Sequence, residues 1–387
     1  MKRAAIIVLD GLGIGPAPDT AAYGDAGSDT LGNVARAVGG LRLPNLERLG
    51  LGKCRDITGL APGVSATAAY GVAIPASAGK DSTTGHWEIC GVLLAKPFRT
   101  YPDGFPRELL DEFARRTGRG WLGNKAASGT RIIAELGAEH QRTGKWIVYT
   151  SADSVFQVAA HDATVPLAEL YRACAVAREL LVGEHAVSRV IARPFTGEPG
   201  AYVRTAARKD FSIPPVGETL LDRLAAAGVP RVGIGKVDDL FAGRNIASEH
   251  TPTNRDAYRL IERALDETDA GFIFVNVIEF DQSWGHRNDV AGFYEGLREL
   301  DAWLPRLQSR VRGDDLIILT ADHGNDPTTP STDHSREAVP ILVLGPRVRA
   351  AALGERRTFA DMGATVAEYF GVGALAAGRS FLSSVQA

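Results

Sequence analysis

Seven apolar runs of strand length punctuate the chain: AAIIVLD (4–10), WIVYTSAD (146–153), RVIARPF (189–195), RVGIGKV (231–237), GFIFVNVIEFD (271–281), DLIILTADHG (315–324) and VPILVLG (339–345). Helical patterns separate them. Leu260, Ile261, Ala264 and Leu265 form one face, and Phe293, Leu297, Leu300, Leu304, Leu307 and Val311 alternate steps of four and three, the spacing of a helix laid on a sheet. Strands alternating with helices predict an α/β fold whose sheet is mainly parallel and flanked by helices.

The middle of the chain reads differently. Helical patterns at 107–116 and 128–136 precede the strand at 146–153, an amphipathic stretch covers 167–182, and a further strand follows. This is the pattern of an inserted, smaller α/β unit. The Pro- and Gly-rich segments KPFRTYPDGFP (96–106) and KDFSIPPVG (209–217) bracket it, as domain crossings do. A chain of 387 residues exceeds one usual core, so the expected division is a core of 1–97 and 212–387 with a cap of 98–211 that closes over the core site.

With 43 basic and 46 acidic residues and a net charge of −3, the chain has no electrostatic footprint for nucleic acid or for an anionic membrane. Cys54, Cys90 and Cys174 have no CxxC spacing, which argues against a disulfide framework or a structural zinc site and for a reducing compartment. The apolar run AAIIVL stops at Asp10, too short for a signal-peptide core or a bilayer span. The expected location is the cytoplasm.

Three of the strand-like runs lead into an aspartate: Asp10, Asp281 and Asp322. In an open parallel sheet, ligands collect beyond the carboxyl ends of the strands, where residues distant in sequence meet. His286 follows Asp281 by five residues, His323 follows Asp322 directly, and His334 lies eleven further on. A strand-end Asp alone is commonly a helix cap, and a lone surface His is commonly solvated. Independent caps, however, give no reason for Asp and His to recur together at strand ends. Carboxylate with imidazole suits divalent Mn, Zn or Fe, and two ions could share the set. Between Asp81 and His86 stand the hydroxyls Ser82, Thr83 and Thr84 of GKDSTTGHWEIC. A metal would lower the pKa of one of them enough to make it a nucleophile.

The stretches GIGPAPD (13–19), GDAGSDTLGN (24–33), GKDSTTGHWEI (79–89), GNKAASGT (123–130), VYTSADSVFQVAAH (148–161), RVIARPFTGEPG (189–200), ADHGNDPTTPSTDHSRE (321–337) and FADMGATVAEYFG (359–371) resemble the alkaline phosphatase superfamily. Within it, the resemblance to the phosphopentomutase family runs along nearly the whole chain. It implies a metal-binding core with an inserted cap. One divalent ion would be held by Asp281, His286 and His334, and another by Asp10, Asp322, His323 and the oxygen of Ser82, with manganese the expected metal. Ser82 stands where the family usually has threonine after Gly-Lys-Asp; Thr83 is the alternative if the loop shifts by one. The resemblance also implies that Ser151, Asp153, Arg189, Ile191, Arg204 and Lys236 bind substrate. The implied activity is that of an isomerase, an intramolecular phosphotransferase interconverting α-D-ribose 1-phosphate and D-ribose 5-phosphate, and the 2-deoxyribose equivalents. It would run through a phosphoenzyme and a 1,5-bisphosphate, with a sugar bisphosphate as activator, in nucleoside salvage. The ligand motifs alone equally fit a metal-dependent phosphohydrolase on the same scaffold, and the serine leaves open a non-catalytic sugar-phosphate-binding protein. No role follows from sequence for His86, Trp87 or Glu88.

Overall fold

The computed structural model describes residues 2–151 and 154–386. The chain divides into two compact units, Met1–Pro97 with Pro215–Ala387, and Phe98–Pro214. The first is built on an eight-stranded sheet whose order, edge to edge, is Ser248–Glu249, Arg231–Ile234, Gly271–Val277, Arg3–Leu9, Leu316–Thr320, Val339–Leu344, Ala69–Ala73, Ala352–Arg356. The strands from Ser248–Glu249 to Leu316–Thr320 run parallel. Val339–Leu344 is antiparallel to both of its neighbours.

Every residue of Arg3–Leu9 and of Gly271–Val277 is buried. Central parallel strands are covered on both faces, so these segments read as continuous apolar runs and not as alternating ones. Among the covering helices, Asn254–Glu267 starts where the Thr253 side chain accepts from Asp256 N–H, and it buries Ala257, Tyr258, Ile261, Ala264 and Leu265. Helix Val290–Gln308 is capped by Asp289 and buries Phe293, Leu297, Leu300, Leu304 and Leu307. Val311 falls beyond the end of that helix. Beyond the helix, Asp315 accepts the Arg312 N–H at 2.8 Å and closes a turn over 312–315.

Several strands are shorter than their apolar runs. The 271–281 run pairs only to Val277 and the 315–324 run only over Leu316–Thr320, while the 146–153 run pairs over Trp146–Thr150, its residues 152 and 153 lying outside the described residues. In the 271–281 run the apolar residues Ile278 and Phe280 continue past the pairing into a helical turn.

The second unit has a six-stranded sheet in the order Trp121–Ala126, Trp146–Thr150, Val155–His161, Arg189–Thr196, Val203–Arg204, with Lys209–Ser212 also paired to Arg189–Thr196. Alternate residues serve opposite faces. Trp146, Val148, Phe156 and Val158 pack with Leu110, Phe113, Leu170 and Cys174 of helices Arg107–Thr117 and Leu167–Leu180. Ile147, Tyr149, Ala159 and Phe195 pack with Ile132 and Ile133 of helix Gly129–Thr143. Among the described residues no helix is long and apolar enough to cross a membrane.

The start of the central strand is pinned electrostatically. Arg3 donates from Nε to Asp315 Oδ1 at 3.1 Å and from Nη1 to the Thr268 carbonyl at 3.0 Å, and the two charged side chains are 1% and 3% exposed. Removing one partner of a buried pair leaves the other uncompensated. Arg3→Ala is therefore expected to lower the unfolding free energy by about 3–5 kcal/mol. A guanidinium denaturation midpoint equal to wild type would refute this.

Candidate metal centre

Three aspartates reach one place by different routes. Asp10 directly follows Arg3–Leu9, and its N–H still donates across the sheet to Val277 O at 3.0 Å. Strand register pairs Val8 with Thr320, so Asp10 and Asp322, each two residues further on, come level. Asp281 arrives from Gly271–Val277 through the helical turn Phe280–Trp284. Gly11, at φ +80°, takes the chain away from Asp10; a Cβ there would meet Asn325 Cβ at 3.1 Å and Asp281 Cβ at 3.3 Å. Its N–H donates to Asp322 Oδ1 at 3.2 Å.

The histidines interleave with these carboxylates. Asp281 Oδ2 is 3.3 Å from His286 Nε2, and Asp281 Oδ1 is 3.3 Å from His334 Nε2. His323 Nε2 lies 3.2 Å from Asp10 Oδ1 and 3.4 Å from Asp322 Oδ2. The His334 ring stands 4.7 Å from that of His286 and 4.3 Å from that of His323, so the cluster is continuous. One ligand atom each from Asp281, His286 and His334, and one each from Asp10, Asp281 and His323, lie within 4.8 Å of one another.

Burial opposes every charge here, and the neighbours decide the outcome. It would raise Asp281, but the charge of His334 and the hydrogen bonds of His286 and His334 hold that carboxyl well below the usual range. Burial and Asp281 push Asp10 up, and His323 more than reverses them. Asp322 is left raised, by burial and by Asp10. His323 sits well above its ordinary value because Asp322 and Asp10 outweigh burial. Burial likewise lowers His286, and Asp281 overrides it, pushing His286 to about 9.

The donors are arranged to hold a divalent cation. His286 Nδ1 is engaged by the Thr332 carbonyl at 2.6 Å and His323 Nδ1 by the Gly324 carbonyl at 3.0 Å. Each therefore turns Nε2 toward the carboxylates, as a metal-ligating imidazole does. Asn276 Nδ2 donates to Asp10 Oδ2 at 3.1 Å and Asn325 Nδ2 to Asp281 Oδ1 at 2.7 Å. Asp322 Oδ2 is buried without a hydrogen bond. His86 Nδ1 is 3.1 Å from it, but that N–H points to the Ser82 carbonyl at 2.8 Å. A buried anionic oxygen without a donor is costly unless a cation is near.

Ser82 opens helix Ser82–Ile89, whose N-cap is Asp81. Asp81 accepts Thr84 N–H at 3.1 Å and Thr84 Oγ1 at 2.6 Å. Thr84's hydroxyl thus belongs to the cap, and Thr83 is buried at 3% exposure. Ser82 Oγ lies 3.2 Å from Asp10 Oδ1 and 3.1 Å from His323 Nε2. It also stands in the first turn, where bare N–H groups favour a phosphate. Close packing fixes the helix: a Cβ on Gly85 would meet Asp322 O at 2.2 Å.

Residues that sequence left without a role prove to be braces. Trp87 Nε1 donates to Leu240 O at 2.8 Å. Glu88 accepts the N–H groups of Ala76, Ser77 and Phe359 at 2.7–2.9 Å. Glu337, which sequence reasoning passed over, accepts Gly15 N–H and Thr30 N–H on Oε2 and the hydroxyls of Thr30 and Ser335 on Oε1. Asn276 carried a signal, a polar residue between Val275 and Val277 of an apolar run; Glu88 and Glu337 carried none.

Of the residues expected to bind substrate, Lys236 lies in the first unit and donates to Gln282 Oε1. Ser151, Arg189, Ile191 and Arg204 lie in the second. Arg189 and Ile191 share a face of strand Arg189–Thr196, with Arg189 Nη1 3.6 Å from Asp210. Arg204 stands on the exposed strand Val203–Arg204. Asp153 falls outside the described residues.

A family model described as the metalloenzyme superfamily matches residues 2–374, and the chain belongs to that superfamily. A phosphopentomutase of Carboxydothermus hydrogenoformans is 55% identical over 374 residues, 96% of each chain. One of Anaeromyxobacter sp. strain K is 57% identical over 386 residues, 99% of each. Within the superfamily, the chain is a member of the phosphopentomutase family. Phosphoglycerate mutase of Leishmania mexicana aligns with 97% of this chain and 96% of its own at 14% identity and a TM-score of 0.48.

Burial raises the Glu337 carboxyl from 4.5 to about 7 despite its four donors. An acid whose folded pKa is raised stabilises the fold fully below about pH 4.5, and that contribution is lost as pH rises through about 7, here up to about 3 kcal/mol. Glu337→Gln mimics the protonated form, because the Thr30 and Ser335 hydroxyls can reverse to accept. From pH 5.5 to pH 8 the variant is expected to gain stability relative to wild type in denaturant titrations. Parallel pH curves would contradict the assignment.

Proposed function

We propose that this chain interconverts α-D-ribose 1-phosphate and D-ribose 5-phosphate, and their 2-deoxy equivalents, by passing a phosphoryl group through Ser82. The observation that carries this reading is the Ser82 hydroxyl, 3.2 Å from Asp10 and 3.1 Å from His323 at the mouth of a buried Asp and His cluster. The naming of relatives at 55% and 57% identity over 96% or more of their length supports it.

Asp281, His286 and His334 would hold one divalent ion and Asp10, Asp322, His323 and Ser82 another; mixed carboxylate and imidazole donors suit Mn²⁺, Zn²⁺ or Fe²⁺, and the family resemblance favours Mn²⁺. When bound, such ions lower the pKa of an adjacent alcohol and neutralise charge on the phosphoryl oxygens. Ser82 supplies the oxygen that carries the phosphoryl group between turnovers. In the first half-reaction the P–O bond to Ser82 breaks as one forms to the free hydroxyl of the sugar monophosphate, giving a 1,5-bisphosphate. In the second, the other phosphate returns to Ser82. The first turn of the helix holds the group in place, and Asp81 keeps that turn closed. A sugar bisphosphate would prime Ser82. We assign sugar-phosphate recognition to Ser151, Asp153, Arg189, Ile191, Arg204 and Lys236, the 98–211 segment acting as the cap. Cys54, Cys90 and Cys174 as free thiols support a cytoplasmic setting in nucleoside salvage.

A coupled assay on ribose 1-phosphate with Mn²⁺, run beside free-phosphate detection, tests the reaction. Ribose 5-phosphate should accumulate with little free phosphate; stoichiometric free phosphate would make the protein a phosphohydrolase. Exhaustive chelation should abolish turnover and Mn²⁺ restore it, and full activity of verified metal-free protein would sink the metal reading. Ser82→Thr, the usual family residue, should keep substantial activity.

A further inference from the structure

We infer that Arg336 is a positioning residue for Ser82, its guanidinium fixing the segment that delivers the nucleophile; the inference rests on the reading of Ser82 given above. Arg336 is 3% exposed. Its Nη1 donates to Ser77 O at 2.5 Å and Gly79 O at 2.6 Å, and its Nη2 to Pro75 O at 2.9 Å. Three carbonyls of the strap that runs into Asp81 and Ser82 thus converge on one planar group. Asp19 grips the other edge, Oδ1 on Nε at 3.1 Å and Oδ2 on Nη2 at 3.0 Å, and the Tyr23 ring centroid lies 4.6 Å from Cζ.

The backbone of Arg336 is anchored too. Its N–H donates to Asp25 Oδ2 at 2.9 Å, and its carbonyl accepts the Thr20 hydroxyl. Asp25 Oδ1 is 2.8 Å from Lys80 Nζ, which is 3.3 Å from Asp333 Oδ2. Two cations, Arg336 and Lys80, therefore tie the strap before Ser82 to the loop that carries His334. Only a guanidinium offers donors in a rigid plane to so many acceptors; an ammonium would serve one or two of them.

A purely structural staple would cost stability and leave the folded enzyme's turnover intact. A positioning residue changes kcat, because displacing a reacting atom by about 1 Å costs roughly 100-fold. Arg336→Lys and Arg336→Ala are expected to lower kcat by about 100-fold with KM within about threefold, and to slow single-turnover phosphorylation of Ser82 equally. Added guanidinium ion should restore part of the rate of Arg336→Ala. Should those variants not fold, Asp19→Ala decides, since Asp19 is 45% exposed and its loss only loosens the guanidinium; a drop of about tenfold in kcat is expected. Leu307→Ala, buried at 0% on helix Val290–Gln308, should lose stability and keep kcat. Folded Arg336 or Asp19 variants with wild-type kcat, or a Leu307→Ala enzyme losing as much, would overturn the inference. Ser82→Ala, assayed alongside, separates the two ideas: turnover by that variant would remove the nucleophile reading itself.

Discussion

Three buried carboxylates set among three imidazoles, those of His286, His323 and His334, cannot all remain ionised unless positive charge stands between them. Asp10, Asp281 and Asp322 are 2–6% exposed, and burial alone would raise all of them. The histidines hold Asp10 and Asp281 down, and Asp322 stays raised with one oxygen unpaired. Much of the surrounding architecture serves this arrangement. Sheet register brings Asp10 level with Asp322, Gly11 turns at φ +80° where a Cβ would crowd Asn325 and Asp281, and Asn276 and Asn325 each steady one carboxylate.

The same charges give Ser82 its importance. A serine hydroxyl in water is a poor nucleophile, and moving it by an ångström would remove it from the groups that could activate it. The fold holds it from several directions. Asp81 closes the first helical turn, His86 engages the Ser82 carbonyl, Glu88 holds the N–H groups of Ala76 and Ser77, and Gly85 lets the helix lie against Asp322. Most of these contacts are local to residues 76–88; that of Gly85 with Asp322, and those of Ser82 with Asp10 and His323, join distant segments, so the site is complete only once the sheet has assembled.

Asp10 and Asp322 were legible in sequence because each follows an apolar run that ends where its strand ends. Asp281 was legible as a residue, but its setting was not: apolar residues continue from Val277 through Ile278 and Phe280, and periodicity cannot separate the last of a strand from the first of a helical turn. Strand Val155–His161 went unread because Ser151–Ser154 breaks the pattern before it, and Ala69–Ala73 because it is short and contains glycine. Val311 kept the helical spacing after the helix had ended. The braces were illegible for a different reason. The Glu88 contact to Phe359 and the Glu337 contact to Thr30 span 271 and 307 residues, and a buried acid looks like any other acid until its donors are known.

The central claim is that the phosphoryl group rides on the hydroxyl that touches the Asp and His cluster. Incubating the protein with a sugar bisphosphate and locating the phosphate by peptide fragmentation tests it directly, because the hydroxyls of residues 82, 83 and 84 are resolved from one another. Phosphate on Ser82 is the predicted result; phosphate on Thr83 or Thr84 would contradict the account.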